Sequence, residues 1–394
     1  MDVKRHEYRE EFNKVAMRLG KVFPNESGYK NMEKYLRGLL GSAERKNGWQ
    51  MSEYLGENTP YAMQQFIYRG RFSADKLRDE LRSYVSEKLG EEEGVLVGDE
   101  TEFLKQGKHS CGVKRQYSGT AGRIENCQIG VLLTYASSKG HSPIDRKLYI
   151  PKEWMEDPAR CKKAGIPDAV VFKTKPQMLL DMLEDATYAD VPYKWVTGDC
   201  VYGDCSDIRT WLEKQGKCYV FNVSGKVYVW QGIKQVSISN ILKNLPEDGW
   251  FEASCGDGSK GARLYDWLVL SMNPGQVDGH ERSILIRRSK SSPDELREYL
   301  CFAPVATSAQ KLVDVAGTRW TVETCFKESK SEVGLDQYEV RSYDGWHKHI
   351  TFACIALAFL TALSSCSFDT KLLQHHNPSS SSLDDFKKGR NLRV

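Results

Sequence analysis

The chain has 394 residues, of which 40% are hydrophobic and 28% charged; it can bury a large core and reads as globular, in two or three domains. A net charge of +3 and a pI near 8.2 exclude a chain that holds nucleic acid through bulk positive charge, so any DNA-binding charge must be local. The start Met1-Asp2-Val3-Lys4-Arg5-His6 is polar, with no apolar segment behind it, and the longest apolar run, residues 350–363, is too short to span a bilayer and reads as a buried core helix. The 11 cysteines lack paired C-x2-C spacing, so reduced thiols in a cytosol are expected rather than a zinc site.

Residues 1–93 read as helical. Ser73 caps a predicted helix whose Leu77, Leu81, Val85 and Leu89 repeat at helical spacing, with Gly90 as its stop. Before it, residues 49–55 read as a short helix and Gly56-Glu57-Asn58 as a turn. Thr59-Pro60 reads as a cap with proline in the first helical position, opening a helix with Gln64, Gln65, Tyr68 and Arg69. Two short helices across a glycine turn fit a helix-turn-helix in which Gln64, Gln65 and Arg69 read base edges. They fit a small helical bundle with a polar face equally well.

Residues 94–224 change texture. Gly94-Val95-Leu96-Val97-Gly98-Asp99 is a continuous apolar run ending at an acid, which predicts a buried strand. Residues 127–135 and 147–150 are further strands, and 174–189 an amphipathic helix. Lys194-Trp195-Val196-Thr197-Gly198-Asp199 is a second strand ending at an acid, followed by a helix at 206–215 and a strand at 217–222. Three strands followed by alternating helices and strands predict a mixed α/β sheet with helices on both faces. Residues 225–303 break the pattern with short strands at 227–230, 249–251, 267–270, 284–286 and 299–302, and no helix of any length except at 293–297. This stretch reads as a β-rich insertion. Residues 304–365 return to helices, and the polar tail 366–394 reads as disordered.

The helix around residues 319–330 carries a distinct pattern. With Arg319 at zero on a helical wheel, Glu323 falls at about 40° and Lys330 at about 20°, while Glu328 lies at about 180° and Glu332 at about 220°. One acid, Glu323, thus lies between two bases on one stripe, which suits a metal or phosphate site. Asp99, Asp199 and Glu323 are an acid set able to hold two Mg²⁺ ions, which prefer carboxylate oxygens. Asp204 is the competing second acid, but Asp199 follows the apolar run directly. Glu100 is expected to face away from Asp99 by strand alternation.

Other residues have two readings each. Lys114, Arg115 and Arg123 around a Gly/Ser-rich turn suit phosphate contact or a solvated hairpin. Trp230, Trp250 and Trp267 suit core packing or base stacking. Arg287, Arg288 and Lys290 suit a DNA backbone or a solvated edge strand. His347 and His349 read as polar contacts at a helix start.

The order of these motifs resembles the DDE transposases of bacterial insertion sequences, in the IS-four-like superfamily with its Y-x2-R-x3-E-x6-K signature, and within it the group numbered seven-zero-one. The likeness is carried by Val97-Gly98-Asp99-Glu100-Thr101, Arg115-Gln116-Tyr117-Ser118-Gly119-Thr120-Ala121-Gly122, Val196-Thr197-Gly198-Asp199 with Tyr202-Gly203, Arg319-Trp320 with Glu323, Phe326 and Lys330, Gly334-Leu335-Asp336-Gln337-Tyr338-Glu339-Val340-Arg341, and Trp346-His347-Lys348-His349. It runs from about residue 30 to about 363. The resemblance implies an RNase H-like core split by the insertion, with Asp99, Asp199 and Glu323 as the metal-binding catalytic triad, served by two Mg²⁺ ions that Mn²⁺ can replace. It implies Arg319 and Lys330 at DNA phosphates, transposon ends and target DNA as double-stranded partners, a homodimer on DNA, and a bacterial cytoplasmic, nucleoid-associated location. The signature tyrosine falls on Ala316, so its phosphate contact is absent or supplied elsewhere. The competing classes are a non-catalytic DNA-binding descendant and a nuclease without strand transfer.

Overall fold

Five helices open the chain, α1 (Asp2–Gly20), α2 (Glu26–Leu40), α3 (Gly48–Tyr54), α4 (Tyr61–Arg69) and α5 (Ala74–Leu89). The computed structural model describes residues 2–119, 121–258, 261–272 and 279–372. The expected Ser73 cap forms, Lys76 N–H donating to its hydroxyl, and α3 has a cap of its own in Asn47, whose Oδ1 accepts from Gln50 N–H. Pro60 sits one position earlier than expected, as the residue before α4, with no side-chain cap. Leu77, Leu81, Val85 and Leu89 are all buried, as their spacing requires.

Ten strands form one sheet. In chain order the elements are β1 (Val95–Leu104), β2 (Lys114–Ser118), β3 (Arg123–Ser137), β4 (Gly140–Tyr149), α6 (Lys152–Met155), α7 (Pro158–Ala164), α8 (Lys175–Tyr188), β5 (Trp195–Gly198), α9 (Cys200–Gly203), α10 (Ser206–Lys214) and β6 (Cys218–Val223). Then follow β7 (Tyr228–Gln231), β8 (Lys234–Ser237), α11 (Ile238–Leu242), β9 (Phe251–Gly258), β10 (Gly261–Ser271), β11 (His280–Arg288), β12 (Leu296–Pro304), α12 (Ala309–Val333) and α13 (Tyr343–Leu372). The sheet order is β2-β3-β1-β5-β6-β12-β11-β10-β9, with β4 also on β3. β1 is antiparallel to β3 and parallel to β5, and β5 is parallel to β6.

Several expectations change. β1 does not end at Asp99 but continues five residues, because Asp99 to Leu104 keep pairing with β3 from Leu132 to Cys127. β3 and β4 start earlier than the apolar runs that flagged them, and β2 is an additional strand. In the stretch read as an insertion, only β7 and β8 form a separate two-stranded sheet. β9 to β12 extend the main sheet, since β12 pairs antiparallel with β6. Residues 293–297 form a turn leading into β12 rather than a helix, and the short helix is α11 instead. α13 continues through Leu372, so 366–372 are helical and not part of an irregular tail; the remainder of that tail, 373–394, lies outside the described residues.

Helices cover both faces near the site. A Cβ on Gly98 would strike Leu179 of α8, whereas one on Gly130, opposite Thr101, would strike Trp346 of α13. Alternation therefore turns Gly98 and Glu100 toward α8 and Asp99 and Thr101 toward the face that α12 and α13 cover. Residues 343–365 of α13 are long and apolar enough to cross a membrane, yet they are mostly buried against β4, α5 and α12, as a core helix is.

α12 docks on the added strands through Gly317, where a Cβ would stand 2.2 Å from the Cys255 carbonyl oxygen of β9. Backbone cannot yield there as a side chain would. Gly317→Ala is expected to lower the urea midpoint by an amount equivalent to about 1–3 kcal/mol. An unchanged midpoint would show that this close approach does not hold α12 in place.

Candidate active site

Asp99 and Asp199 follow residues that are partners across parallel strands: Gly98 pairs with Gly198, and neighbouring strands lie about 4.8 Å apart. The two carboxylates therefore stand side by side where β5 ends and β1 runs on. Asp199 leaves β5 to cap α9, its Oδ1 accepting from Val201 N–H at 2.9 Å. Asp99 Oδ1 accepts from Glu100 N–H at 2.8 Å. Burial, then the charges of Glu100 and Asp199, push the Asp99 carboxyl up to about 7. Burial and Glu100 also raise Asp199. Arg319 opposes both rises, which places its guanidinium within electrostatic reach of the pair.

Glu100 points toward α8, as alternation predicts, and is held by Lys175 Nζ at 2.6 Å and the Tyr202 hydroxyl at 2.5 Å. Its charge still reaches both aspartates. Tyr202 is fully buried. Lys175 and Tyr202 were not singled out as site residues from the sequence; the only signal was that Tyr202 lay within a quoted motif. Asp204, the competing second acid, is tied to a turn instead, accepting from Ser224 N–H at 2.8 Å and from the Ser224 hydroxyl at 2.7 Å.

Glu323 lies on α12, one turn beyond Arg319, with 3.5 Å between its Oε1 and the guanidinium and 60% of its side chain exposed. Among the described residues no three His, Cys, Asp or Glu side chains gather closely enough to hold a metal, so Glu323 is not drawn in beside Asp99 and Asp199. The aspartate pair nevertheless suits a hard divalent cation: the donors are carboxylate oxygens, and both are destabilised as anions by burial and the Glu100 charge. Arg319 and Glu323 meet on one side of α12, but Lys330 stands seven residues past Glu323, about 10 Å along the axis. Lys330 Nζ donates to the Glu102 carbonyl of β1 at 3.3 Å, and burial lowers its pKa. Ala316, in the signature's tyrosine position, is buried.

The remaining candidates are scattered, some exposed and some buried. Arg115 is exposed on β2, and Arg123, at the start of β3, is exposed and ion-paired with Glu125 at 2.7 Å. Trp230 is exposed on β7, while Trp267 is fully buried. Trp250 is half-buried; its indole N–H donates to the Pro246 carbonyl and Arg288 lies 3.9 Å from its ring centre. The basic run 287–290 does not form a free cationic strip: Arg288 pairs with Asp266 at 3.3 Å, Lys290 with Glu252, and Arg287 is buried. On α4, Gln64 and Arg69 are exposed and Gln65 half-buried. His347 bonds the Tyr343 carbonyl at the start of α13, as expected, whereas His349 reaches out of its helix to the Tyr35 hydroxyl of α2 and the Gly334 carbonyl at the end of α12.

Comparison with known proteins bears on this geometry. The family model described as DDE superfamily endonuclease matches residues 18–240, a span that includes Asp99 and Asp199. The model described as Transposase DDE domain matches residues 164–359, which include Asp199 and Glu323. The chain is 20% identical over 331 residues to the "Probable transposase for insertion sequence element IS701" of Microchaete diplosiphon, covering 82% of this chain and 80% of that protein. Matched over more than half of its length by the first of these models, the chain belongs to the DDE superfamily endonucleases, among the DDE transposases.

Proposed function

We propose that this chain binds the terminal inverted repeats of an insertion sequence, cuts at the ends and joins the freed 3′-hydroxyls to target DNA. The observation that carries this is the Asp99–Asp199 pair, two carboxylates side by side on neighbouring parallel strands, held protonation-prone beside Arg319 on α12. The strand order β4-β3-β1-β5-β6, antiparallel up to β1 and parallel after it, supports an RNase H-like core spanning residues 94–224 and 304–365. Under this reading residues 1–93 form a DNA-binding region, with Gln64, Gln65 and Arg69 on α4 facing bases.

Asp99, Asp199 and Glu323 would hold two Mg²⁺ ions. Bound there, the ions supply a hydroxide or alkoxide nucleophile and stabilise the leaving oxygen of an in-line displacement. Asp99 and Asp199, whose burial disfavours a bare anion, would take up the divalent charge. Glu323, exposed and only loosely paired, is free to turn from Arg319 toward the pair. Arg319 then faces the phosphate charge that builds up at the cut. Two ends must be handled together, which calls for a dimer on DNA.

The test uses purified protein, a duplex carrying one end of the element, a target plasmid and Mg²⁺. Cutting and joining are expected, falling at least about 100-fold in Glu323→Ala and staying near the starting level in Glu328→Ala. Binding without cutting in either Mg²⁺ or Mn²⁺ would overturn the catalytic reading. Cutting without joining would reduce it to a nuclease.

A further inference from the structure

We propose that Arg263, Arg287 and Arg319, gathered around the indole of Trp320, form a binding site for a backbone phosphate of the DNA strand, adjoining the aspartate pair. The inference rests on the reading that this chain acts on DNA. The three guanidinium carbons lie 5.0, 5.2 and 5.9 Å from the Trp320 ring centre. They come from three elements: β10, β11 and α12. Arg287 is the central member. It is 8% exposed, lies 4.3 Å over Tyr265, and its Nε–H has no hydrogen-bond partner.

Charge pairing separates this group from its neighbours. Arg288 and Lys290, one and three residues beyond Arg287, are matched by Asp266 and Glu252. Among the described residues no carboxylate pairs with Arg263 or Arg287, and Arg319 has only Glu323 at 3.5 Å. Three like charges around one ring repel, and a buried guanidinium with an unmet N–H is costly to keep. The indole face offsets part of that through cation–π attraction; a bound anion would offset the rest. Guanidinium forks match phosphate oxygens in geometry and are less strongly hydrated than ammonium groups.

Location selects the phosphate. Arg319 belongs to this cluster and also acts on Asp99 and Asp199, so the cluster and the acid pair are contiguous. A strand with one phosphate at the aspartates has its flanking phosphates within reach of the neighbouring cations. Arg263 and Arg287 are thus positioning residues that set the register of the strand, with Trp320 holding the guanidinium groups apart.

The experiment measures binding of the full chain to a fluorescein-labelled 30-base-pair duplex in EDTA, over a range of salt concentrations. Each phosphate contact contributes about 0.9 to the slope of log K against log salt. Arg263→Gln and Arg287→Gln are each expected to weaken binding severalfold and to lower that slope by about 0.9. Arg263 is only half-buried, so Arg263→Gln decides the matter if Arg287→Gln fails to fold. Tight, salt-dependent binding by the natural chain, with the same affinity and slope in Arg263→Gln, would overturn this inference and leave the reading as a DNA enzyme standing. Absence of salt-dependent binding by the natural chain would overturn both.

Discussion

An Asp99→Asn chain is expected to lose end cleavage by at least about 1,000-fold while unfolding, in metal-free buffer at pH 8, at a higher temperature than the natural chain. The two effects share one cause. Burial and the charges of Glu100 and Asp199 hold the Asp99 carboxyl at about 7, against 3.8 for an ordinary aspartate. The native state therefore binds this proton more tightly than the unfolded state does. Stability contributed by the group is fully present below the unfolded value, declines as pH rises from about 4, and is lost above about 7. That displacement corresponds to about 4 kcal/mol at most, less where solvent screens the pair. Asparagine keeps the shape and never ionises, so it escapes the penalty. The difference in melting temperature should shrink toward pH 5, where the natural carboxyl is protonated. Mg²⁺ should raise the melting temperature of the natural chain and leave that of the variant nearly unchanged. Equal melting curves at pH 8 would refute the electrostatic account, and cleavage surviving in the variant would remove Asp99 from the proposed triad.

The sequence singled out Asp99, Asp199 and Glu323 for different reasons. Each aspartate ends or follows an unbroken apolar run, and a run of that kind is what a buried strand requires. Glu323 was separated from Glu328 by helical angle alone, and the two do diverge: Glu328 contacts His141 of β4 at 3.0 Å, while Glu323 sits one turn from Arg319. The continuation of β1 was invisible because Glu100, Thr101 and Glu102 interrupt the run, although backbone pairing with β3 tolerates polar side chains on either face. Rise along the helix, which an angular projection discards, separates Lys330 from Glu323. The cluster around Trp320 could not be read at all, because residues 263, 287 and 320 meet only when β10, β11 and α12 are assembled. β4 was reduced to its last residues because Pro143, Asp145 and Arg146 look like a loop. An irregularity in pairing between Leu133 and Thr134 of β3 absorbs that stretch.

Those charged residues of β4 carry the largest expected stability effect. Asp145 is fully buried. It accepts from Arg82 of α5, lies 3.8 Å from Arg78 of the same helix, and lies 3.6 Å from Arg146. Arg146 in turn donates to Thr351 of α13 at 2.7 Å and to Asp75 of α5 at 3.1 Å. The network fastens the helical region before residue 94 to the sheet and to the apolar core helix at once. Asp145→Ala leaves Arg82 and Arg146 buried without their shared anion, which is expected to cost about 3–5 kcal/mol. Asp185 also approaches Arg78 and Arg82, each at 3.7 Å, but is 46% exposed, so Asp185→Ala should cost about 1 kcal/mol or less. Urea unfolding of the two variants measures the contrast, and limited trypsin digestion shows where it acts. If α5 is fastened through Asp145, the Asp145→Ala chain is cut after the lysines and arginines of α5 itself well before the natural chain is. A cost under 1 kcal/mol for Asp145→Ala, with an unchanged digestion pattern, would mean that the other contacts of residues 1–93 with α12, α13 and the sheet join the two regions without this ionic network. The candidate DNA-reading helix α4 would then be held to the core by its own contact with α13, where Lys348 donates to the Gly70 carbonyl at the end of α4.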